Sequence, residues 1–279
     1  MRPVQPIFTV HLFLPLHERL MELLRGLSPE DWRKPTVCRD WSVQDIVAHM
    51  LDTQVRILSR GRDAAPLPAS AGPITSYSGL VEFLNHLNAQ WVEATRRISP
   101  RLLMEFLALV GPQLAAYFAS LDPQGPALFG VAWAGEEVSA NWFDIGRNYT
   151  EYWHHQEQIR NAVGAAGLTG REWLHPVLAL FMRALPHTYR DLRAPAGTAI
   201  TVTITGEAGG TWSLVLGAKG WQLEEGTAIS AVTQITLSGD TAWRLFTKGL
   251  HPEQARTLVS VQGDPALGGP FLTALAVMA

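Results

Sequence analysis

Over roughly the first two thirds of the chain, apolar positions and punctuation follow a helical period; after Pro186 they alternate one by one. Ser28-Pro29 and Ser99-Pro100 each set a capping serine before a proline at the first helical position. In "WSVQDI", Ser42 can cap, Asp45 can reach back as a short capping-box partner, and Trp41 can staple onto Ile46. These signals predict helices near 8–26, 42–60, 79–98, 100–121, 139–163 and 171–190. The stretch "RDAAPLPASAGPITS" reads as a loop between the second and third of them.

Beyond them, "TAITVTITG" alternates Ile200, Val202 and Ile204 with threonines, which is the period of a strand. "TWSLVLGAKGWQLEEG" predicts a hairpin turning near Gly217–Gly220, and "AVTQITLSG" predicts a further strand. A helix in "DTAWRLFTKGL", a short strand in "TLVSVQGD" and a closing helix from Pro265 complete the pattern. The expected architecture is multidomain: an all-α region over residues 1–190, joined by "LRAPAGT" to a small α+β layer domain over 195–279.

Composition narrows the function classes. With 279 residues, 47% hydrophobic and 17% charged, the chain can bury a sizeable core. A net charge of −3 gives no basic footprint for nucleic acid or an acidic membrane, so neither is expected as a partner. The single cysteine, Cys38, excludes an intramolecular disulfide framework and a cysteine zinc cluster, and points to a reducing, cytoplasmic setting. Pro6, His11 and Pro15 interrupt the N-terminal apolar run, and no signal-peptide cleavage pattern follows. The greasiest stretch, "LLMEFLALVGPQLAAYF", carries Glu105, Pro112 and Gln113 and is shorter than the ~20 residues of a spanning helix. A soluble protein, monomer or homodimer, is the expectation.

The segment "EYWHHQEQIR" holds the candidate chemistry. On a helical wheel of 139–163, Ile145, Tyr149, Tyr152, Ile159, Ala162 and Val163 form the apolar stripe. His155 falls within about 50° of its centre, Glu151 about 40° beyond, and His154 roughly 150° away. The wheel therefore turns His155 and Glu151 inward and His154 outward. Glu at i and His at i+4 can converge on one cation, although such pairs also arise as ordinary surface contacts. A third ligand must come from another helix. His49, in "DIVAHMLDTQ", sits in a firmly capped helix, yet lies about 130° from its apolar stripe, where a solvated histidine is the plainer reading. His11, His17, His86, His175, His187 and His251 have no comparable partner, and surface or satisfied-core roles are expected for them.

"PTVCRDWSVQDIVAHML" together with "GRNYTEYWHHQEQIRNAVG" resembles the mycothiol-dependent maleylpyruvate isomerase family, within the DinB-like metal-binding four-helix bundles. The tail, through "LSGD", "LFTKGL" and "VQGDPALGGPFL", is similar to that family's sterol-carrier-protein-like C-terminal domain. The likeness covers nearly the whole chain in order. It implies a metal held by His49, Glu151 and His155. One departure is Gln158, where many relatives place an acidic residue.

The resemblance also implies the reaction. Two histidines and a carboxylate leave a fourth position open, and suit Zn²⁺ best, with Ni²⁺, Co²⁺ or Fe²⁺ as further candidates. A low-molecular-weight thiol, mycothiol or an equivalent such as bacillithiol or glutathione, would be the cosubstrate. The small-molecule substrate would be an activated electrophile of the maleylpyruvate kind, and the enzyme a cis–trans isomerase or thiol S-transferase. Arg147, one turn before Glu151, is the candidate for holding an anionic substrate, against a plainer reading as a solvated arginine; Arg244 and Arg256 are candidates across the domain interface. Cys38 reads as a small buried hydrophobe before it reads as a nucleophile. The rival expectations are a DinB-like protein that binds metal without turnover, and a lipophilic-ligand binder lined by Trp133, Trp142, Trp153, Trp173, Trp212 and Trp243.

Overall fold

The structure, a computed structural model, describes residues 1–66 and 76–277. The middle of the loop read at 62–76, residues 67–75, lies outside the described residues. The chain opens with a two-residue strand β1 (Arg2–Pro3), followed by helices α1 (Val10–Arg25), α2 (Val43–Ile57), α3 (Tyr77–Thr95), α4 (Pro100–Ser120), α5 (Asn141–Val163) and α6 (Arg171–Phe181). A 3₁₀ turn links α6 to a last helical turn, α7 (Leu185–Thr188). Helices α1, α2, α4 and α5 pack on one another as the bundle; α3 leans on α2 from outside.

Local chemistry explains where these helices start. Asp45 N–H donates to Ser42 Oγ (3.3 Å) and Ser42 N–H donates to Asp45 Oδ2 (2.9 Å), the reciprocal box expected of "WSVQD". Arg96 adds an ion pair to Asp45 Oδ1 at 3.1 Å. Ser99 caps α4 as the Ser-Pro pair predicts. The other pair behaves differently. Ser28 binds the Asp31 carboxylate through its backbone N–H and its hydroxyl, and only a 3₁₀ turn, Asp31–Arg33, forms. The chain then bends into a bridge between Pro35 and Ser42, which leaves no room for a longer helix.

Two bundle helices contrast. α4 runs 21 residues and is long and apolar enough to cross a membrane by length and composition, more than its apolar core stretch suggested. Its Leu103, Leu107, Gly111, Leu114 and Phe118 are buried in the bundle, while Leu102, Phe106 and Leu109 stay exposed. α5 reads as polar yet buries 17 of its 23 residues, because α1, α2 and α6 flank it and Trp243 of the C-terminal region packs against Trp153. A helix buried almost all round has no solvent face for a wheel to find.

The C-terminal region is a mixed sheet: β2 (Ala199–Thr205), β3 (Gly210–Gly217), β4 (Gly220–Glu225), β5 (Ala231–Ser238) and β6 (Ser260–Gly263). With β1 it has the order β1-β4-β3-β2-β5-β6, antiparallel except for the β2–β5 pair. Ile200, Val202 and Ile204 face the core as the alternation predicts. Helices α8 (Gly239–Phe246), α9 (Pro252–Leu258) and the single turn α10 (Pro265–Gly268) cover it. The sequence gives no period signal for a seven-residue α9 or a two-residue β1, and both are additions to the expected pattern. β1 ties the N-terminus to the sheet: it pairs with β4, and Arg2 forks onto Glu225 at 2.9 and 3.0 Å. The fold is thus a helical N-terminal region followed by a mixed-sheet domain.

Candidate metal centre

α2 and α5 bring His49 face to edge against His155, with ring centroids 4.9 Å apart and planes at 80°. Trp41 covers His49 from the capping loop, with ring centroids 5.1 Å apart. Trp91 of α3 donates its indole N–H to Ala48 O (2.8 Å), tying α3 to α2 at the neighbouring residue. His49 is consequently only 6% exposed, and the solvated reading of its position fails. Periodicity misjudged it because α2 carries α3 on one side and α5 on the other, so ten of its 15 residues are buried.

On α5, Glu151 Oε2 lies 3.6 Å from His155 Nε2 and 3.9 Å from His154 Nδ1. Candidate donor atoms of Glu151, His154 and His155 all fall within 4.8 Å of one another. His154, turned outward by the wheel, is buried here, since its side of α5 is also covered. Its Nδ1–H donates to Thr150 O at 3.0 Å, however, so that nitrogen is committed to the backbone. His155 Nδ1–H donates to Gln158 Oε1 at 2.8 Å, which leaves Nε2 as the bare nitrogen facing Glu151. His49 Nδ1 is buried with no hydrogen-bond partner among the described residues. A buried polar atom without a partner costs about 1–3 kcal/mol, which marks the spot as one that an added group would relieve.

Burial sets the charges. It pushes His155 down to about 3, with neighbouring His154 adding to the effect, and His154 down to about 4. His49 is held well below the usual histidine value, first by burial and then by His155, Arg56 and His154. All three imidazoles are therefore neutral near pH 7, the form that ligates a metal. Burial raises Glu151, while His155, Arg147 and Lys248 pull it back. The Glu151–His155 pair has the spacing of two ligands on one cation: donors about 2.0–2.2 Å from a tetrahedral ion stand roughly 3.4 Å apart.

Arg147 is half-buried rather than solvated, and its Nε donates to Asp144 Oδ1 at 3.0 Å. It stays near enough to Glu151 for its charge to be felt there. Arg244 and Arg256 do not join the centre: Arg244 holds Asp240 and Asn161, and Arg256 pairs with Glu253. A cation of the sheet domain whose charge lowers Glu151 is Lys248, exposed in a left-handed turn (φ 62°) after α8. Lys248 went unnoticed in the sequence, where only the "TKGL" turn hints at it. Cys38 is half-buried, donates to Gln158 Oε1 at 3.4 Å, and is pushed by burial up to about 11, which makes it a poor nucleophile. Five of the six tryptophans offered as a lipid pocket are buried core residues, and the sixth, Trp142, lies under Arg183 at 4.7 Å. His17 and His175 are satisfied in place, by Tyr152 and by Ala208 O.

Residues 13–160 match the family model described as the mycothiol maleylpyruvate isomerase N-terminal domain, just over half of the chain. No curated protein matches significantly. Two solved structures share the fold over 91% of this chain and 92% of theirs. One is the mycothiol-dependent maleylpyruvate isomerase, with a TM-score of 0.55 at 9% identity, and the other a histidine-to-alanine mutant of it, 0.54 at 10%.

Proposed function

Because the chain belongs to the mycothiol maleylpyruvate isomerase family, we propose that it is a metal-dependent enzyme using a low-molecular-weight thiol on a small activated electrophile. The observation that carries this reading is the buried His49 ring, its Nδ1 without a partner among the described residues, packed on His155, whose Nε2 lies 3.6 Å from Glu151 Oε2. His49, Glu151 and His155 are the ligands of the reading; His154, tied to Thr150 O, supports the carboxylate from beside it. Zn²⁺ suits two imidazoles and a carboxylate best, with Ni²⁺, Co²⁺ or Fe²⁺ as substitutes. A cation there would lower the pKa of a thiol placed at the open position and so supply a nucleophile at neutral pH.

The protein's own groups do the rest. Trp41 and the flanking helices keep His49 dry, and Glu151, the most open of the donors at 22% side-chain exposure, marks where reactants enter. Arg147, held by Asp144, is the group to bind a substrate carboxylate, and Lys248 adds positive charge from the sheet domain. The reaction of this reading is reversible addition of the thiol across a carbon–carbon double bond, rotation about the new single bond and elimination, with S-transfer as the variant that stops at the adduct. In this division of labour residues 1–190 form the metal-binding unit and 195–279 the sheet unit, in a thiol-rich cytoplasm.

The test is thiol-dependent turnover of maleylpyruvate by zinc-loaded protein, with mycothiol, bacillithiol and glutathione compared. Arg147→Ala is expected to raise KM more than tenfold with a smaller change in kcat. Metal bound in full with no turnover by any thiol would reduce the protein to a metal binder.

A further inference from the structure

Gln158 stands one turn after His155, buried at 4% exposure, and its Oε1 is approached by two donors from different parts of the chain. His155 Nδ1 lies at 2.8 Å, and Cys38 Sγ, from the loop before α2, at 3.4 Å. Two donors on one oxygen orient the amide. Rotated by 180°, its NH₂ would face a thiol, and sulfur accepts hydrogen bonds only weakly. With the thiol held protonated by burial, the oxygen is the better neighbour for both.

We infer that Gln158, oriented by Cys38, is a positioning residue that locks His155 in the Nδ1–H tautomer and so keeps its Nε2 lone pair directed at Glu151. This deepens the metal-centre reading and rests on it for its purpose, but the lock itself is a property of the metal-free chain. The choice of an amide has a consequence for charge. A carboxylate at this buried place would set a second negative charge near Glu151, whereas Gln158 supplies the same acceptor with none. A site of one divalent cation and one carboxylate then keeps a net positive charge, which favours an anionic fourth ligand over a neutral one.

The experiment is a long-range proton–nitrogen correlation spectrum of ¹⁵N-histidine-labelled, metal-free full-length protein, with zinc affinity measured beside it by chelator competition. His155 is expected to show a protonated Nδ1 and a bare Nε2 in the wild type. Gln158→Leu is expected to mix the two tautomers and weaken zinc binding by about 10–100-fold. Gln158→Glu, which keeps the acceptor, is expected to keep the tautomer, and Cys38→Ser to keep both tautomer and affinity. A proton found on His155 Nε2 in the wild type, or an unchanged tautomer in Gln158→Leu, overturns the inference. A locked His155 in a protein that binds no zinc upholds the lock and refutes the metal reading instead.

Discussion

α5 supplies two buried histidine environments within one turn, and they end differently. At Tyr152 it meets His17 of α1: the His17 Nδ1 and the Tyr152 hydroxyl share a hydrogen bond of 2.8 Å, and Gly111 of α4 makes room for the ring. At His155 it meets His49 of α2, whose Nδ1 has no partner among the described residues. Both environments are dry, and both hold their imidazoles neutral. The first pairs its imidazole; the second leaves an imidazole nitrogen unpaired, and that is the place the proposed reading gives to a metal. Burial is common to the two environments; their hydrogen bonds differ.

The paired environment should be costly to acidify. His17 is pushed by burial down to about 4 from an ordinary value of 6.5. Below pH 6.5 the unfolded chain takes up a proton that the folded one refuses, so stability is complete above that pH and drains away toward pH 4. The loss is roughly 3 kcal/mol at about 1.4 kcal/mol per pH unit. Urea unfolding between pH 7 and 4 should show it, and His17→Gln, which does not titrate, should make the profile shallower by about that amount, the remaining slope belonging to the other buried imidazoles, His49, His154 and His155. An unchanged profile in that variant would mean the ring is not held neutral.

A smaller effect sharpens the contrast through packing. A Cβ added at Gly111 would lie 2.3 Å from His17 Cε1, so Gly111→Ala should destabilise by about 1–3 kcal/mol while leaving zinc affinity untouched. Loss of metal affinity in this variant would show that the two environments are not independent. Smallest is Ser42→Ala. Removing the cap of α2 should cost about 1 kcal/mol in thermal unfolding and leave metal stoichiometry intact, because the packing around His49 still holds the ring. A variant that fails to bind metal would place the cap within the site's framework.

The sequence made the strands and most caps legible because their signals are local. Ser42 with Asp45, Ser99 with Pro100 and the alternation of Ile200, Val202 and Ile204 depend on neighbours a few positions away. The Glu151–His155 spacing was legible for the same reason. What stayed hidden depends on which helices surround which. The wheel assumed one wet face per helix, and so gave His49 and His154 to solvent, whereas α2 and α5 have almost none. Cys38 joining Gln158 across 120 positions, and the charge of Lys248 acting on Glu151 from the sheet domain, have no local signature at all.

The account stands on the unpaired environment holding one divalent cation. Zinc titration of chelator-stripped protein tests this most directly, with the wild type, His49→Ala, His155→Ala and the control His17→Gln measured side by side. One equivalent should bind to the wild type and to His17→Gln, and affinity should fall by more than about 100-fold in the other two, beyond the 10–100-fold typical of losing an outer-shell partner. Wild-type affinity and stoichiometry in His49→Ala and His155→Ala alike would contradict it.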